Sequence, residues 1–271
     1  MTSTTPLGKD AGYPGSYMRE VLCGVPRIEN RRRLGIDRAL PFHGKDVWNA
    51  HELTWLEPAG KPAVAVAAIE IDADSEYIVE SKSLKLYLNS LAMERFGSFG
   101  EVAALVSRDL SELTRSHVTL SLKLPAEMDQ QGIRRLPGLC VDSLDVSCAA
   151  PAVDASLLGC VEGDDVHEEL HSHLLRSRCP VTGQPDFGSV LLRYRGPPID
   201  HEGFLRYLVS YRNHRDFHES CIERIFVDLK NCCAPNELTV YGRFNRRGGI
   251  DINPFRTDTD DAADNPRLWR Q

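Results

Sequence analysis

The sequence lacks the features that would place it in several large classes of protein. It has no apolar run of the roughly 18 residues that a membrane-spanning helix needs, and its first residues show no apolar signal-peptide core. Positive charge is not in excess, since the net charge is -7 and the pI is about 5.7. This balance disfavours direct contact with nucleic acid. We therefore expect a soluble, cytoplasmic protein without a membrane or nucleic-acid partner.

Common cofactor and metal motifs are also missing. There is no G-x-G-x-x-G or P-loop segment, so a dinucleotide would not be held in the Rossmann manner. The eight cysteines are too few for a disulfide scaffold and lack zinc-finger spacing. Residues 167–171 match the H-E-x-x-H motif of zinc proteases. The surrounding pattern alternates as in a strand, however, where residues i and i+4 lie roughly 13 Å apart. The sequence therefore predicts no metal.

An internal repeat with an offset of about 120 residues is present instead. The aligned segments are 80–88 with 200–208, Asp109 with Asp228, 118–120 with 238–240, and 56–63 with 178–186. The first copy lacks the Cys and Asp of the 178–186 segment, and the second copy lacks the Ser/Lys cluster that begins at Ser81. These complementary losses predict one composite site that both halves build.

The repeat predicts an α+β fold of two units, each an antiparallel sheet with a pair of helices on one face. We expect an N-terminal arm over residues 1–35, a first module over 36–135 and a second over 136–271. The predicted strands are 63–71, 118–124, 189–194 and 238–244. The predicted helices begin near Leu84, at a Ser98–Glu101 capping box, at Phe204, and at an Asp216–Glu219 capping box.

Cys179 and Asp186 are the candidates for covalent chemistry. Cys179 precedes a turn rich in Pro and Gly, and this turn can bring Asp186 back toward the sulfur. A thiolate nucleophile beside an acid/base group would result. The alternative is a buried cysteine beside an Asp that only caps the loop.

Two further segments suit an anionic ligand. Residues 80–85 place hydroxyls, two lysines and free backbone N–H groups at a helix start, where phosphate is favoured. Arg243, Arg246, Arg247, Gly248 and Gly249 add three cations and a flexible turn after the last predicted strand. The alternatives are a helix start with solvated lysines and an exposed hairpin end.

Residues 217–219 read Phe-His-Glu and allow two interpretations. Glu219 is the third helical residue of the predicted capping box, a structural role. A carboxylate there could instead accept two N–H bonds from a purine-like edge. The cap does not explain His218.

Taken together, these motifs resemble one family, the QueF-type NADPH-dependent 7-cyano-7-deazaguanine reductases in their longer, two-module form. The segments that carry the resemblance are 80–87, 179–186, 217–219 and 246–251. The Ser/Lys cluster together with Cys-x6-Asp separates this family from the related zinc-dependent GTP cyclohydrolases. The resemblance implies tandem tunnelling-fold modules with sites at module interfaces.

The resemblance also implies a reaction. The nitrile of 7-cyano-7-deazaguanine (preQ0), as the free base, is reduced with two NADPH to the aminomethyl group of 7-aminomethyl-7-deazaguanine (preQ1) for queuosine in tRNA. Cys179 would form a thioimide with the nitrile carbon, and Asp186 would supply a proton. The implied base-binding residues are Val79, Glu80, Ser81, His218 and Glu219. The implied NADPH-binding residues are Ser81, Lys82, Arg247 and Gly248. We expect a homodimer.

Two functions from other classes stay open at this point. One is a zinc-dependent pterin or purine hydrolase on the same fold, with Cys221, His214 and His218 as the ligands. The other is a purine-binding or assembly protein that performs no chemistry.

Overall fold

A computed structural model describes residues 12–37, 39–149 and 152–271. The helices are α1 (Ile28–Arg33), α2 (Ser81–Ser90), α3 (Phe99–Thr114), α4 (Pro125–Gln131), α5 (His201–Ser210) and α6 (His218–Cys233). The strands are β1 (Gly24–Pro26), β2 (His43–Leu56), β3 (Pro62–Asp72), β4 (Tyr77–Val79), β5 (Val118–Lys123), β6 (Leu139–Cys140), β7 (Val166–Arg178), β8 (Pro185–Gly196), β9 (Glu237–Phe244) and β10 (Ile250–Thr257). Short 3-10 helices lie at Arg19–Val21, Val141–Ser143, Ala155–Leu157 and Tyr211–Asn213.

The chain divides into two compact units. Unit 1 comprises Met1–Glu29, described from residue 12 onward, together with Asp46–Gly132 and Arg246–Ile252. Unit 2 comprises Asn30–Lys45, Ile133–Asn245 and Asn253–Gln271, apart from the three positions in it that the structure does not describe. The first eleven residues of the predicted N-terminal arm lie outside the described residues. The domain boundaries at 35/36 and 135/136 stay a prediction.

Unit 1 is a sheet with the strand order β5-β3-β2, covered by α2 and α3. Strand β3 pairs with β5 in antiparallel fashion, from Val66 opposite Lys123 to Ile71 opposite Val118. Buried and less buried residues alternate along β3, so one of its faces points into the core. There Trp48 and Ile69 pack in one cluster with Leu84 of α2. A small second sheet pairs β1 with β4.

Unit 2 repeats this plan with the strand order β10-β9-β8-β7-β6. The pairs β7–β8, β8–β9 and β9–β10 are antiparallel, and the two-residue β6 pairs with β7 in parallel. Helix α5 contacts β7, and α6 contacts β9. The register of β7 on β8 shifts between Ser172 and Leu175, which marks a β-bulge. The predicted α+β class, an antiparallel sheet with a helix pair in each unit, is confirmed.

The internal repeat is confirmed helix by helix. Helices α2 and α5 both have 10 residues, and α3 and α6 both have 16. The second helix of each pair ends at a left-handed residue that is not glycine, Arg115 (φ 55°) in unit 1 and Ala234 (φ 45°) in unit 2. Within the described residues, none of the helices has the length and apolar character required to span a lipid bilayer.

Helix starts were predicted with mixed success. Ser98 caps α3 as predicted and accepts the Glu101 N–H at 3.2 Å, while the Glu101 carboxylate accepts from Gly97 N rather than from the cap residue. The Asp216–Glu219 capping box is wrong, because α6 begins one residue later and its N-cap is Phe217. Strands β2 and β10 were not predicted. The prediction that residues 167–171 form a strand is confirmed by β7.

Candidate active site

The loop that joins β7 to β8 holds Cys179 in a closed turn. The backbone N–H of Cys179 donates to Gln184 O at 2.9 Å, and Gly183 N–H donates to Cys179 O at 3.0 Å. Gly183 has φ +69°, a conformation that glycine adopts without strain. The Arg178 guanidinium donates to Gly183 O at 3.0 Å and closes the turn from the side. Cys179 is therefore fixed in place and is 5% exposed.

The strand register places Asp186 on the same face as Cys179. Asp186 lies directly opposite Ser177, and Cys179 follows Ser177 by two residues along the chain. Opposite residues and residues two apart share a face of a sheet, and such diagonal neighbours lie roughly 7–8 Å apart. All three side chains are buried. The turn thus brings Asp186 back onto the face of Cys179, while the catalytic roles of the two residues stay predictions.

The start of α6 brings His218 close to Asp186. The preceding segment is tied to the end of β7, because Arg178 N–H donates to His214 O and Asp216 N–H donates to Arg178 O. His218 Nε2 lies 3.7 Å from Asp186 Oδ1, and its ring packs edge-on against Phe244. Glu219 is 1% exposed. Asp186 and the His218 imidazole therefore lie close together, and the buried Glu219 follows His218 in α6.

Cys221, also in α6, differs from Cys179 in position and chemistry. It is fully buried, and this burial raises the pKa of its thiol well above the ordinary value, with the Asp216 carboxylate as the next largest cause. A thiol of this kind remains protonated and is a poor nucleophile. All eight cysteines are free. Cys221 is thus a packing cysteine of α6.

In unit 1, the Glu80 side chain occupies the helix start that was predicted to have free N–H groups. The Glu80 carboxylate is the N-cap of α2 and accepts from Lys82 N–H at 2.7 Å and from Ser83 N–H at 2.9 Å. The prediction of free backbone donors is therefore wrong, because an acidic side chain 1% exposed already satisfies them. The side chains of Ser81 and Lys82, which follow this cap, are half-buried at the start of α2.

A glycine turn in unit 1 supplies the other predicted cofactor residues. Arg247 N–H donates to Ile250 O at 2.8 Å, and Gly248 and Gly249 between them have φ of 61° and 81°. Two consecutive positive φ values are typical of a type I′ turn. A Cβ on Gly248 would lie 3.1 Å from Lys85 Nζ, so this ammonium group lies against the turn. Hydroxyl, ammonium and guanidinium donors form a set that suits the phosphates of a dinucleotide.

Arg243 does not belong to that set, although the sequence analysis grouped it there. It is 1% exposed in unit 2 and donates to Tyr241 Oη, Asn265 Oδ1 and Gln271 Oε1. These bonds make it part of the framework of unit 2.

Sequence reasoning missed a cluster of three polar residues in unit 1. His51 Nε2 lies 2.8 Å from Asp251 Oδ2, and Asn49 Nδ2 donates to Asp251 Oδ1 at 2.7 Å. Asp251 is 1% exposed. It closes the 246–251 motif, but no role had been given to it, because its partners lie about 200 residues away in the sequence.

The alternative zinc site is not assembled among the described residues. There, the group of His, Cys, Asp or Glu whose ligand atoms lie within 4.8 Å of one another is Cys140, His171 and His173. Cys221, His214 and His218 do not form such a group, and the two histidines lie near Asp216 and Asp186 instead. The described residues therefore do not support the zinc hydrolase interpretation.

Comparisons with known proteins agree with the resemblance seen in the sequence. Residues 13–122 match the family described as "Nitrile reductase, 7-cyano-7-deazaguanine-reductase N-term", and residues 185–263 match "QueF-like protein". Two proteins named NADPH-dependent 7-cyano-7-deazaguanine reductase, from Burkholderia cenocepacia (strain HI2424) and Burkholderia orbicola (strain AU 1054), are each 48% identical over 271 residues. The match covers 98% of this chain and 98% of each relative.

Among solved structures, the crystal structure of the archaeosine synthase QueF-Like in the apo form matches 36% of this chain and 95% of its own, with 20% identity and a TM-score of 0.31. The full-length relatives carry the assignment: the chain belongs to the family of NADPH-dependent 7-cyano-7-deazaguanine reductases.

Proposed function

We propose that this protein reduces the nitrile of 7-cyano-7-deazaguanine to the aminomethyl group of 7-aminomethyl-7-deazaguanine with two NADPH, in queuosine biosynthesis. The observation that carries the proposal is the buried face of the β7–β8 hairpin, where Cys179 and Asp186 lie beside His218. Support comes from relatives named for this reduction, which match the chain over nearly its full length.

The first step is covalent. The Cys179 thiolate attacks the nitrile carbon, a C–S bond forms, and the nitrogen takes a proton to give a thioimide. NADPH, when bound, supplies the two hydrides that the conversion of a nitrile to a primary amine requires. After the first reduction, the C–S bond of the resulting thiohemiaminal breaks. Cys179 leaves as thiolate, and the imine that remains is reduced to the amine. Two hydrides and two protons balance the reaction.

Asp186 delivers the protons. It is 3% exposed, and His218 Nε2 lies 3.7 Å from its carboxyl group, so the imidazole is placed to replace the proton that Asp186 gives away. Burial of this pair and of Cys179 also limits water, which would otherwise hydrolyse the thioimide. We therefore assign covalent catalysis to Cys179 and proton transfer to Asp186. His218 is the neighbour that reprotonates Asp186.

For the deazaguanine base we propose binding by carboxylate and imidazole groups. Glu219 offers a buried acceptor for the N–H donors of a guanine-like edge, and His218 lies next to it at the start of α6. Val79, Glu80 and Ser81 are the further residues that we propose to contact the base. Each Glu80 carboxylate oxygen accepts one backbone N–H and keeps a further lone pair for the base.

NADPH is bound by Ser81, Lys82, Arg247 and Gly248. The basis is their donor chemistry in unit 1, where a hydroxyl and an ammonium group occupy the start of α2 and a guanidinium precedes a glycine turn. A backbone without Cβ at Gly248 allows close approach of a phosphate. We also propose that the protein is a homodimer, a state that light scattering would measure.

The test of the function is a stoichiometric assay. Purified protein is mixed with NADPH and 7-cyano-7-deazaguanine, and NADPH absorbance is followed together with product mass. Two NADPH oxidised per amine formed is the expected result. Asp186→Asn should slow the chemistry far more than it weakens base binding. No NADPH oxidation, with the nitrile unchanged, would overturn the proposal.

A further inference from the structure

A second cluster of chemically active side chains lies in unit 2, on strands β6 and β7. It consists of Cys140, His171 and His173, whose ligand-type atoms all lie within 4.8 Å of one another. None of them belongs to the residues proposed above for the reductase chemistry. His171 also belongs to the H-E-x-x-H segment. In the cluster, however, it is combined with His173, two residues along the same strand.

The strand pairing explains why the three side chains meet. Cys140 of β6 lies directly opposite His171 in the parallel pairing with β7. His173 follows two residues later, on the same face of the strand. The β-bulge between Ser172 and Leu175 begins here, and a bulge turns a side chain relative to the regular ladder. The ring centres of the two histidines are 5.3 Å apart.

The backbone of the cluster is clamped by Asp142. Its carboxylate accepts from the Ser172 hydroxyl at 2.6 Å and from His173 N–H at 3.0 Å. Asp142 belongs to the 3-10 helix Val141–Ser143, which begins directly after Cys140. One carboxylate therefore ties the segment that carries the cysteine to the strand that carries the histidines. A site held in this way requires little rearrangement to bind an ion.

The hydrogen bonds of the two rings leave the same nitrogen available on each. His171 Nδ1 lies 2.8 Å from Pro137 O, and a carbonyl only accepts, so Nδ1 carries the proton and Nε2 keeps its lone pair. His173 Nδ1 lies 2.7 Å from Ser189 Oγ, a hydroxyl that can accept in the same way. A backbone carbonyl or hydroxyl behind the ring is the usual support of a metal-binding histidine.

The surroundings limit the access of water to the cluster. His171 is 7% exposed, Cys140 and His173 are half-buried, and the ring of the exposed Trp269 lies edge-on to His173. Three protein ligands with an open fourth position suit tetrahedral coordination.

We propose that Cys140, His171 and His173 bind one Zn²⁺ ion, the cysteine through its thiolate and each histidine through Nε2. A thiolate with two imidazoles suits zinc, whereas Mg²⁺ and Ca²⁺ require oxygen ligands. Atoms around a tetrahedral zinc lie roughly 3.3–3.8 Å apart, so small side-chain rotations close the site. The Cys140 thiol loses its proton on binding, and the ion joins the two-residue β6 to the long β7.

The experiment uses the full chain after removal of metal with a chelator. Titration with Co²⁺, a spectroscopic substitute for zinc, should produce thiolate-to-cobalt absorption that saturates at one ion per chain, and Zn²⁺ should abolish it. Zinc should also raise the thermal unfolding midpoint of the wild type. Absence of thiolate absorption with added cobalt would overturn the proposal.

Matched variants decide where the ion binds. Cys140→Ser and His171→Gln should each weaken metal binding roughly 100-fold or more, since even changes behind the ligands cost 10–100-fold. His167→Ala, an exposed histidine on the same strand, should leave the cobalt spectrum unchanged. Circular dichroism checks that each variant folds, and the two ligand variants serve as independent tests.

The proposed nucleophile supplies the control that separates this site from the reductase function. Cys179→Ala should keep the cobalt absorption although it forms no nitrile adduct. If Cys179→Ala instead loses the absorption and Cys140→Ser keeps it, the metal binds at the cysteine turn and the proposal fails. A wild type that binds cobalt but does not reduce the nitrile would contradict only the proposed function.

Discussion

The two units share a helix pair and hold it with the same buried bond. Tyr87 in α2 donates to Asp109 in α3 at 2.7 Å, and Tyr207 in α5 donates to Asp228 in α6 at 2.6 Å. In unit 1 the aspartate also accepts from Tyr17 and Arg108, whereas in unit 2 the tyrosine also bonds to the hydroxyl of Tyr211. The repeat thus keeps the bond between the helices and varies its neighbours.

The units differ most at the ends of their elements. The first helix of unit 1 begins with Glu80, Ser81 and Lys82, while that of unit 2 begins with Asp200, His201 and Glu202. Both carry an acidic N-cap that accepts backbone N–H groups, so the cap is common and only the following side chains differ. The buried polar bonds and the acidic caps are therefore common to both units, and the side chains that follow the caps differ.

The largest expected effect concerns the turn between β7 and β8, where the two units differ in sequence. Only unit 2 has a cysteine there, so Cys179→Ala should reduce turnover roughly 10³-fold or more, as loss of a nucleophile does in other covalent enzymes. Base binding should survive, and no covalent adduct should appear in the intact-protein mass. Cys148→Ala, at an exposed free cysteine, is the control and should retain activity. An adduct in Cys179→Ala would remove this residue from its role.

The next effect concerns an ion-pair triad in unit 2. Glu223 of α6 accepts from Arg31 at 2.8 Å and from Arg256 at 2.9 Å, and all three side chains are buried. The Asp109–Asp228 register aligns Glu223 with Ala104 of α3. Glu223→Gln removes the buried carboxylate that the two arginines share and should destabilise the fold by about 3–5 kcal/mol, measured by urea unfolding. Glu237→Gln, in an exposed pair with Arg195, should change little.

A third pair of variants sharpens the comparison of the helix pairs. Tyr87→Phe and Tyr207→Phe should each cost about 1–3 kcal/mol, because a buried polar partner loses a hydrogen bond. Tyr207→Phe should cost more, since it leaves the fully buried hydroxyl of Tyr211 without its tyrosine partner, while Asp109 keeps Tyr17 and Arg108. Parallel urea titrations measure both values. Equal costs would mean that the extra partners contribute nothing.

The smallest effect concerns the Ser/Lys start of α2. Lys82→Ala should raise the KM for NADPH about tenfold, which corresponds to roughly 1.4 kcal/mol, because one ammonium contact to a phosphate is lost. Adduct formation with the nitrile, which needs no hydride, should be unchanged. Lys61→Ala, at a largely exposed lysine of the same unit, is the control. An unchanged KM would exclude Lys82 from cofactor binding.

The sequence predicted most of the fold because the repeat supplied each signal twice. Strands β3, β5, β8 and β9 and helices α2, α3, α5 and α6 follow from their hydrophobic periods. Strand β10 was missed because all eight of its residues are buried, so it has no alternation, and it contains Pro254. Strand β2 mixes buried Asp46 and Asn49 with apolar residues, which hides its pattern.

The sequence predicted only those parts of the candidate site that depend on the geometry of a short segment. The Cys179–Asp186 arrangement follows from a tight turn and a strand register, both of which are properties of a short segment. The use of Glu80 as a cap, the burial of Arg243 and the meeting of Cys140 with His171 depend on packing and on partners that are distant in the sequence. No spacing rule in a single sequence specifies such partners.

The left-handed residues that follow α3 and α6 lower the stability of the fold, and substitution could remove this loss. Arg115 and Ala234 hold a backbone conformation that costs a residue with a Cβ atom roughly 1–2 kcal/mol and costs glycine almost nothing. Both positions lie at the C-terminal end of a helix, away from the residues proposed for chemistry. They are therefore the first places at which an engineer would introduce glycine to gain heat tolerance without altering catalysis.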